Sequence, residues 1–406
     1  MDTQTVAELS GKFLMSTYKR APVAFASGQG VRLTDMEGKT YLDFVAGIAV
    51  SILGHNHPEL VSAIAQQASK VIHTSNLYLI SEQAKLGQWL VEHSACDRAF
   101  FCNSGAEANE TAIKLARKYG AQGGRFEIIV ADRSFHGRTL AALAATAQPK
   151  YHKGFEPLPP GFVTASWDDL AALESAITPS TCAIMLEPIQ GEGGLRFPSP
   201  GYLEGVRRLC DQRGLVLILD EIQTGMGRTG RLFAYEQFGI EPDVVTLAKG
   251  LGGGVPIGAV LAKARIAEAF QPGDHGSTFG GNFLASAAAL AVVTTIERER
   301  LPEHAARIGA YLIDRLRSLS RSHPVVTEVR GLGLMVAVEL SIDAAQVVDA
   351  CRERGLLVNA VQPTTLRLVP PLIITRGDVD EAVRILDAAL AAVAQPATTA
   401  VVGHGS

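Results

Sequence analysis

The segment Asp243-Val-Val-Thr-Leu-Ala-Lys249-Gly-Leu-Gly-Gly-Gly254 carries an apolar run into a glycine-rich loop, with one lysine at the junction. The apolar run predicts a buried strand of a parallel sheet. A lysine at the carboxyl end of such a strand is partly desolvated, and desolvation lowers the pKa of the amine. A neutral amine can form a Schiff base with an aldehyde cofactor, although a lysine before glycines is more often a solvated loop residue. Residues elsewhere in the chain decide between these two roles for Lys249.

Short apolar runs alternate with helical patterns from about residue 55 to residue 290. The helical patterns include 106–119 and 202–213. This alternation predicts an α/β fold with a mostly parallel sheet that is covered by helices on both faces. The candidate strands are 98–102, 126–130, 182–186, 215–219, 243–247 and 258–262.

The two ends of the chain have other patterns. The turn Asp35-Met-Glu-Gly38 lies between two strand-like runs and predicts a hairpin in an N-terminal arm. After about residue 291, long helical stretches, three short strands and a capping box at Thr375-Arg-Gly-Asp378 predict a small α+β domain. We therefore expect an N-terminal arm (1–50) that is part of the small domain and a large cofactor-binding domain (51–290). A small C-terminal domain (291–394) and a disordered tail (395–406) should follow.

The composition excludes several classes of function. With 406 residues, of which 47% are hydrophobic and 19% charged, the chain has the size for two domains and an ordinary globular balance. A formal net charge of −4 and the lack of a long apolar run give no reason to expect nucleic-acid or membrane partners. The five cysteines form no CxxC pair, so we expect neither a metal site nor a disulfide framework. The N-terminus does not resemble a targeting peptide, and a cytoplasmic location is expected.

Two turns with glycine precede predicted helices and are candidates for phosphate binding. One contains Gly105 and Ala106 and follows the strand at 98–102, and the other contains Ser277 and Thr278. A helix N-terminus offers unpaired N–H groups and the positive end of the helix dipole. Neither turn has the spacing of a dinucleotide or P-loop motif, so ordinary helix capping is the competing interpretation.

Aromatic and charged residues follow three other predicted strands. Phe135 and Arg138 suit stacking on a planar ring and binding of a carboxylate. Asp220 ends a wholly apolar strand, where a carboxylate needs a partner such as a protonated pyridine nitrogen. Glu187 and Glu192 lie among glycines that leave space for a ligand. Each residue alone also fits a core, loop or capping role, but the carboxyl ends of parallel strands converge where α/β sheets bind ligands.

Six motifs occur in a fixed order: NSGAEA, FHGRT, EPIQGEGG, LDEIQTGMGRTG, TLAKGLGGGVPIGA and GSTFGGN. Together they make the chain, from about Tyr18 to Ala391, similar to the class III aminotransferases among the fold type I pyridoxal-phosphate enzymes. The resemblance implies a large domain with a mostly parallel seven-stranded sheet, a smaller α+β C-terminal domain and a homodimer. The segment Gly47-Ile-Ala-Val-Ser-Ile-Leu-Gly-His-Asn-His-Pro58 is also similar to the acetylornithine aminotransferases.

The resemblance implies pyridoxal 5′-phosphate as the cofactor and assigns it a set of residues. Lys249 would bond to the cofactor and move the proton in catalysis. Asp220 would pair with the pyridinium nitrogen, and Phe135 would stack on the ring. Gln223 would approach the 3-oxygen of the ring. The phosphate would be bound by Gly105 and Ala106 and, on the neighbouring subunit's cofactor, by Thr278.

The resemblance also assigns residues to the substrates. Arg138 would bind the carboxylate that is remote from the reacting amine. Arg367 would receive the α-carboxylate of glutamate, and Glu192 would mask its charge while a terminal amine reacts. A bidentate contact of this kind requires arginine rather than lysine. Ser277 and Tyr18 would lie near the substrate.

The activity implied is transfer of the terminal amino group of N2-acetyl-L-ornithine to 2-oxoglutarate, a step of arginine biosynthesis. Gly47 or Ile48 stands where ornithine δ-aminotransferases carry a tyrosine that contacts a free α-amine, and a small or apolar residue suits an acylated nitrogen. Succinylornithine, N-succinyldiaminopimelate, ornithine and 4-aminobutyrate are alternative donors. A methylene or two changes binding by only about 1–3 kcal/mol, so the motifs separate these donors poorly.

Two functions of other classes share part of the pattern. A nucleotide-binding dehydrogenase has the same alternation of strands and helices, but it gives Lys249 no role. A catalytically silent cofactor-binding protein would keep Asp220 and Lys249 but would not need Arg138, Glu192 and Arg367 together. The combination of all five residues favours a transaminase.

Overall fold

The N-terminal part of the chain forms a helix and a small antiparallel sheet. The computed structural model describes residues 1–394, and none of the helices in this range is long and apolar enough to cross a membrane. The predicted hairpin is confirmed, since its two strands pair antiparallel around the turn at Asp35. The elements are α1 (Thr3–Phe13), β1 (Phe25–Gln29), β2 (Arg32–Asp35) and β3 (Thr40–Asp43).

The central region forms a seven-stranded mixed sheet with helices on both faces. Its elements are α2 (Ala46–Ala49), α3 (Pro58–Ala68), α4 (Ser81–Glu92), β4 (Arg98–Cys102), α5 (Gly105–Gly120), β5 (Glu127–Ala131), α6 (Leu140–Ala145), α7 (Pro149–His152), β6 (Phe162–Ala165), α8 (Leu170–Ser175), β7 (Thr181–Leu186), α9 (Tyr202–Arg213), β8 (Val216–Asp220), β9 (Val244–Leu247), β10 (Gly258–Ala262), α10 (Ala264–Ala267) and α11 (Phe283–Arg298). The strand order is β4-β10-β9-β8-β7-β5-β6. Only β10 runs antiparallel to its neighbours, so the predicted mostly parallel seven-stranded sheet is confirmed.

The central strands are buried on both faces, as their unbroken apolar runs predict. Every residue of β7, β8, β9 and β10 is buried. Alternate residues enter two separate clusters. Ile218 packs on the α5 side, whereas Leu217 and Leu219 pack on the side of α9 and α11. This sandwich fixes the carboxyl ends of β5, β7, β8 and β9 at one edge of the sheet.

The C-terminal part is the predicted small α+β domain. Its elements are α12 (Leu301–Leu319), β11 (Val326–Leu332), β12 (Met335–Leu340), α13 (Ala344–Glu353), β13 (Leu356–Leu357), β14 (Asn359–Gln362), β15 (Thr365–Leu368) and α14 (Arg376–Ala394). Four strands form an antiparallel sheet in the order β11-β12-β15-β14, and β13 joins β3 of the N-terminal sheet. Through β13, the N-terminal sheet is continuous with the C-terminal part of the chain.

The predicted capping box at the start of the last helix is present. The backbone N–H of Thr375 donates to the Asp378 carboxylate at 2.8 Å, and the N–H of Asp378 donates to Thr375 Oγ1 at 3.3 Å. These reciprocal bonds satisfy N–H groups that α14 cannot pair internally. The disordered tail expected at 395–406 lies outside the described residues.

Candidate active site

Lys249 lies where β9 ends and a short 3₁₀ turn, Lys249–Leu251, begins. Its φ of +42° is in the left-handed region, which is costly for a residue with a Cβ. Burial lowers the pKa of the Lys249 amine, although the negative charge of Glu192 acts in the opposite direction. Strained backbone and a depressed amine pKa are together typical of a functional lysine rather than of a solvated loop lysine.

A cavity of about 370 Å³ opens beside Lys249 at the carboxyl edge of the large sheet. The loops after β4, β5, β7, β8 and β9 all contribute to its wall. The structure therefore brings together side chains that are far apart in the sequence. The predicted site residues that line this cavity are Gly105, Ala106, Phe135, Arg138, Glu192, Asp220, Gln223 and Lys249.

Asp220 presents a buried carboxylate to the cavity, with 4% of its surface exposed. Its Oδ2 accepts hydrogen bonds from Asn109 Nδ2 at 2.7 Å and from His136 Nδ1 at 2.8 Å. Its Oδ1 accepts only the backbone N–H of Ile222 at 3.1 Å, and no lysine or arginine of residues 1–394 forms an ion pair with it. A buried carboxylate without a cationic side chain beside it fits a cationic ring nitrogen.

His136 and Asn109 have roles that the sequence did not reveal. Because the Asp220 carboxylate only accepts, His136 Nδ1 must carry the proton that it donates. Asn109 Nδ2 also bonds to the carbonyl oxygen of His136 at 2.6 Å, so the three side chains are fixed as one unit. His136 is therefore a residue that orients Asp220.

The N-terminus of α5 forms part of the cavity wall. Ser104 caps this helix by accepting from the N–H of Glu107, which leaves the N–H groups of Gly105 and Ala106 without an acceptor inside the helix. A Cβ on Gly105 would come within 2.8 Å of Cδ1 of Ile222, so a larger residue here would require the Ile222 side chain to move. Free N–H groups at the start of α5 and the buried Asp220 carboxylate, both in the wall of one cavity, fit a phosphorylated pyridine ring.

Glu187 is a second buried carboxylate in the cavity wall. It accepts from the backbone N–H of Phe135 at 3.0 Å and from the N–H of Gly191 at 3.1 Å. Burial raises the pKa of Glu187 to about 7. Glu187 thus connects the loop that carries Phe135 to the loop that carries Glu192.

Arg367, on β15 of the small domain, is fully buried behind Glu192 and Gln223, which line the cavity. Its Nη1 donates to the carboxylate of Glu192 and, at 3.0 Å, to Gln223 Oε1. Its Nε donates to Asn359 Oδ1 at 3.3 Å. Burial alone would raise the pKa of Glu192, but the Arg367 charge outweighs it and holds that pKa below its usual value. The guanidinium is therefore paired with an ionised carboxylate inside the site.

Besides Arg367, three of the predicted residues do not line the cavity. Ser277 accepts from Asn103 Nδ2 at 3.1 Å, which places it just outside the rim. Thr278 lines a separate surface depression with Phe279. Tyr18 lies in the N-terminal segment with 73% of its surface exposed. In a single chain, these three side chains are apart from Lys249.

The seven-stranded sheet with its appended small domain, and a lysine and a buried aspartate in the wall of one cavity, are typical of a class of pyridoxal-phosphate enzymes. The family described as aminotransferase class III matches residues 14–390. The chain belongs to the class III aminotransferase family.

Several members of this family are similar to the chain over nearly its whole length. The chain is 50% identical over 386 residues to the acetylornithine aminotransferase of Methanothermobacter thermautotrophicus, with 95% of this chain and 98% of that protein covered. It resembles the structure of acetylornithine aminotransferase from Elizabethkingia anophelis with a TM-score of 0.87 and 34% identity, over 97% of this chain and 100% of that one. A structure of Toxoplasma gondii ornithine aminotransferase, with partial occupancy of PLP at its active site, matches with a TM-score of 0.92 and 36% identity, over 96% and 94%.

Proposed function

We propose that this chain is a pyridoxal-phosphate-dependent transaminase that moves the terminal amino group of N2-acetyl-L-ornithine to 2-oxoglutarate. The products are N-acetyl-L-glutamate 5-semialdehyde and L-glutamate. The observation that carries the proposal is the contrast between two arginines at the cavity. Arg367 is paired with Glu192, whereas Arg138 has no acidic partner among the described residues. The names of the relatives support the same substrate.

Different side chains around the cavity would bind different parts of the cofactor. When bound, pyridoxal phosphate supplies an electron sink and carries the amino group between the two half-reactions. Asp220, oriented by His136 and Asn109, would hold the ring nitrogen in its protonated form. Phe135 would cover one face of the ring, and the α5 N-terminus would bind the phosphate.

Lys249 is the group that we assign to the proton transfer at the substrate carbon. An amine works as a base only in its neutral form, and burial shifts Lys249 toward that form. The negative charge of Glu192 opposes this effect of burial and holds the pKa of the amine up in part, so the amine can also return a proton. Lys249 therefore has the acid and base character that a reversible transamination requires.

The paired and unpaired arginines explain how one pocket accepts two different amino donors. Acetylornithine reacts at an amine that has no neighbouring carboxylate, so a bare Arg367 would be left without a partner beside it. Glutamate reacts at an amine next to a carboxylate, which would replace Glu192 on the guanidinium. Arg138 would hold the remote carboxylate of either substrate. Glu192 therefore selects between the two half-reactions.

A homodimer is part of the proposal. Thr278 lies away from the Lys249 cavity of its own chain, as a residue that serves a neighbouring site must. The adjacent Phe279 is 58% exposed, and the segment with the fully exposed Leu79 follows Asn76, which donates to the carbonyl oxygens of Ser277 and Gly280, so exposed apolar side chains lie close to this loop. Such surface is typical of an interface between subunits. We assign Thr278 to the phosphate of the partner's cofactor and Ser277 to the rim beside the substrate.

The location proposed for the enzyme is the cytoplasm. All five cysteine thiols are buried and unpaired within the described residues. Burial raises the pKa of Cys351 to about 12, so that thiol stays protonated and unreactive. Free thiols of this kind suit a reducing compartment.

A comparison of amino donors tests the function. Purified holoenzyme is mixed with 2-oxoglutarate and, in turn, with acetylornithine, succinylornithine, ornithine, N-succinyldiaminopimelate and 4-aminobutyrate, and glutamate formation is measured. The proposal predicts the highest kcat/KM for acetylornithine. A higher kcat/KM for ornithine or 4-aminobutyrate would reassign the donor and leave the transaminase class intact. No amino transfer from any of the donors would contradict the class itself.

A further inference from the structure

The guanidinium of Arg138 lies on aromatic rings rather than on a carboxylate. Its Cζ is 4.0 Å from the centre of the Tyr151 ring and 5.7 Å from the centre of the Phe135 ring. The two rings meet edge to face, with centres 6.1 Å apart and planes at 80°. Arg138 donates no hydrogen bond to any other residue between 1 and 394. An aromatic pair thus holds the arginine at the mouth of the cavity.

This arrangement leaves the donors of the arginine available. A guanidinium is attracted to an aromatic ring through its face, while its N–H groups lie in its own plane. A carboxylate neighbour would fix Arg138 equally well, but it would occupy the same N–H groups that a substrate carboxylate needs. Tyr151 can therefore orient Arg138 without competing with the substrate.

The ring of Tyr151 is itself held in place by its helix. The next residue, His152, donates from Nε2 to the carbonyl oxygens of Leu143 at 3.0 Å and Thr146 at 2.7 Å, which ties α7 to the end of α6. Arg138 lies just before α6, so the cation and the ring belong to one local unit. The Tyr151 hydroxyl makes no hydrogen bond within residues 1–394, so the ring face is the functional part of this side chain.

We propose that Tyr151 is a positioning residue that sets the affinity of the pocket for the substrate carboxylate remote from the reacting amine. The inference rests on the proposed role of Arg138. Tyr151 pre-orients the guanidinium, so binding of the carboxylate does not have to immobilise a free arginine side chain. Its effect is confined to substrates that carry this carboxylate.

The test uses a matched pair of substrates and a set of variants of the holoenzyme. N-acetylputrescine is acetylornithine without its carboxylate, so it presents the same chain and the same reacting amine. The variants are Tyr151→Phe, Tyr151→Leu, Tyr151→Met and Arg138→Leu. Lys150→Ala is the control, because the exposed Lys150 amine is 4.9 Å from the same ring and faces no predicted substrate group. KM and kcat are measured for both substrates, and glutarate binding is measured by calorimetry.

Tyr151→Phe and Lys150→Ala should match the parent enzyme. Tyr151→Leu should raise KM for acetylornithine and the dissociation constant of glutarate roughly two- to five-fold, the size of one cation–π contact. Its kcat, the cofactor absorbance and kcat/KM for N-acetylputrescine should not change. Tyr151→Met should behave like Tyr151→Leu, and it replaces that variant if the branched side chain prevents folding.

Two results separate this inference from the proposed function. If Tyr151→Leu impairs both substrates equally, or neither, while Arg138→Leu impairs only acetylornithine, the role of Tyr151 is wrong and that of Arg138 stands. If Arg138→Leu does not discriminate between the substrates, the assignment of Arg138 to the carboxylate is wrong and the inference fails with it.

Discussion

Arg367 and Glu192 form an ion pair that joins the small domain to the loop after β7 within the cavity wall. The guanidinium is fully buried, and the carboxylate keeps about a quarter of its side-chain surface exposed. A buried arginine that lost this partner would retain an uncompensated charge, which is costly unless another anion replaces the carboxylate. The α-carboxylate of glutamate is such an anion. Under the proposed function, the pair stays formed while a terminal amine reacts and is replaced by the glutamate carboxylate when glutamate binds.

Arg367→Lys should separate the two half-reactions. Lysine keeps the charge but loses the planar fork that binds a carboxylate in two places. We expect kcat/KM for glutamate to fall by about ten-fold or more, with a smaller change for acetylornithine, because only glutamate uses this contact. Steady-state kinetics with each donor measure both values. Equal losses for the two donors would mean that Arg367 acts mainly on the fold.

Asp220→Asn should weaken cofactor binding. A hydrogen bond to a charged group contributes about 1.5–3 kcal/mol, which corresponds to an increase of roughly ten- to 100-fold in the dissociation constant of pyridoxal phosphate. Equilibrium dialysis or quenching of protein fluorescence measures this constant. Asp35→Asn is the control, since Asp35 is equally buried but lies in the N-terminal hairpin. An unchanged constant in Asp220→Asn would remove Asp220 from the cofactor site.

Glu187→Gln should change how stability depends on pH. Burial raises the pKa of Glu187 from 4.5 to about 7, so between these values the folded protein holds a proton that the unfolded chain releases. The contribution of this carboxyl is present below pH 4.5 and is lost as the pH rises through 7, a change of about 3 kcal/mol at most. Glutamine does not titrate, so the variant should show a flatter dependence of the unfolding free energy on pH.

Glu221 provides the matched control for this experiment. Burial raises the pKa of Glu221 to about 7 as well, and it accepts from Thr224 Oγ1 and from the backbone N–H groups of Ala234 and Tyr235. Glu221 does not line the cavity. Glu187→Gln and Glu221→Gln should flatten the pH dependence alike, but only Glu187→Gln should also weaken cofactor binding. A pH dependence that both variants leave intact would show that neither carboxyl is protonated in the folded state.

The sequence predicted the large sheet well because its central strands are apolar throughout. Six candidate strands overlap β4, β5, β7, β8, β9 and β10. The seventh, β6, was not identified as a strand. It is a four-residue edge strand with only Ala165 buried, so its sequence has no clear alternation. β14 was not predicted for a similar reason, since none of its residues is buried.

The cofactor end of the site could be predicted because each residue follows a strand at the carboxyl edge. The supporting residues could not, because their partners are distant in sequence and ordinary in type. Asn109 is inside a helix, Asn359 is on an edge strand and Tyr151 is in a four-residue helix that begins with a proline. No local pattern marks these residues. Only the folded structure shows that Asn109 contacts Asp220, that Asn359 contacts Arg367 and that Tyr151 contacts Arg138.

The backbone at the predicted specificity segment was also unforeseen. All four residues of α2 have positive φ, and Ile48, at +65°, is β-branched and therefore strongly strained. Gly47 and Ile48 do not line the cavity, whereas the following Val50 does. The sequence identified the segment but not the side chain that reaches the site, because a left-handed turn changes the directions in which its side chains point.

The ratio of two specificity constants tests the central claim that Glu192 selects between the half-reactions. Glu192→Ala and Glu192→Gln both remove the negative charge that masks Arg367, and the second keeps the size of the side chain. kcat/KM is measured for glutamate and for acetylornithine with each enzyme. We predict that both variants shift the ratio toward glutamate by about ten-fold, because Arg367 is then free for the α-carboxylate. An unchanged ratio would contradict the account.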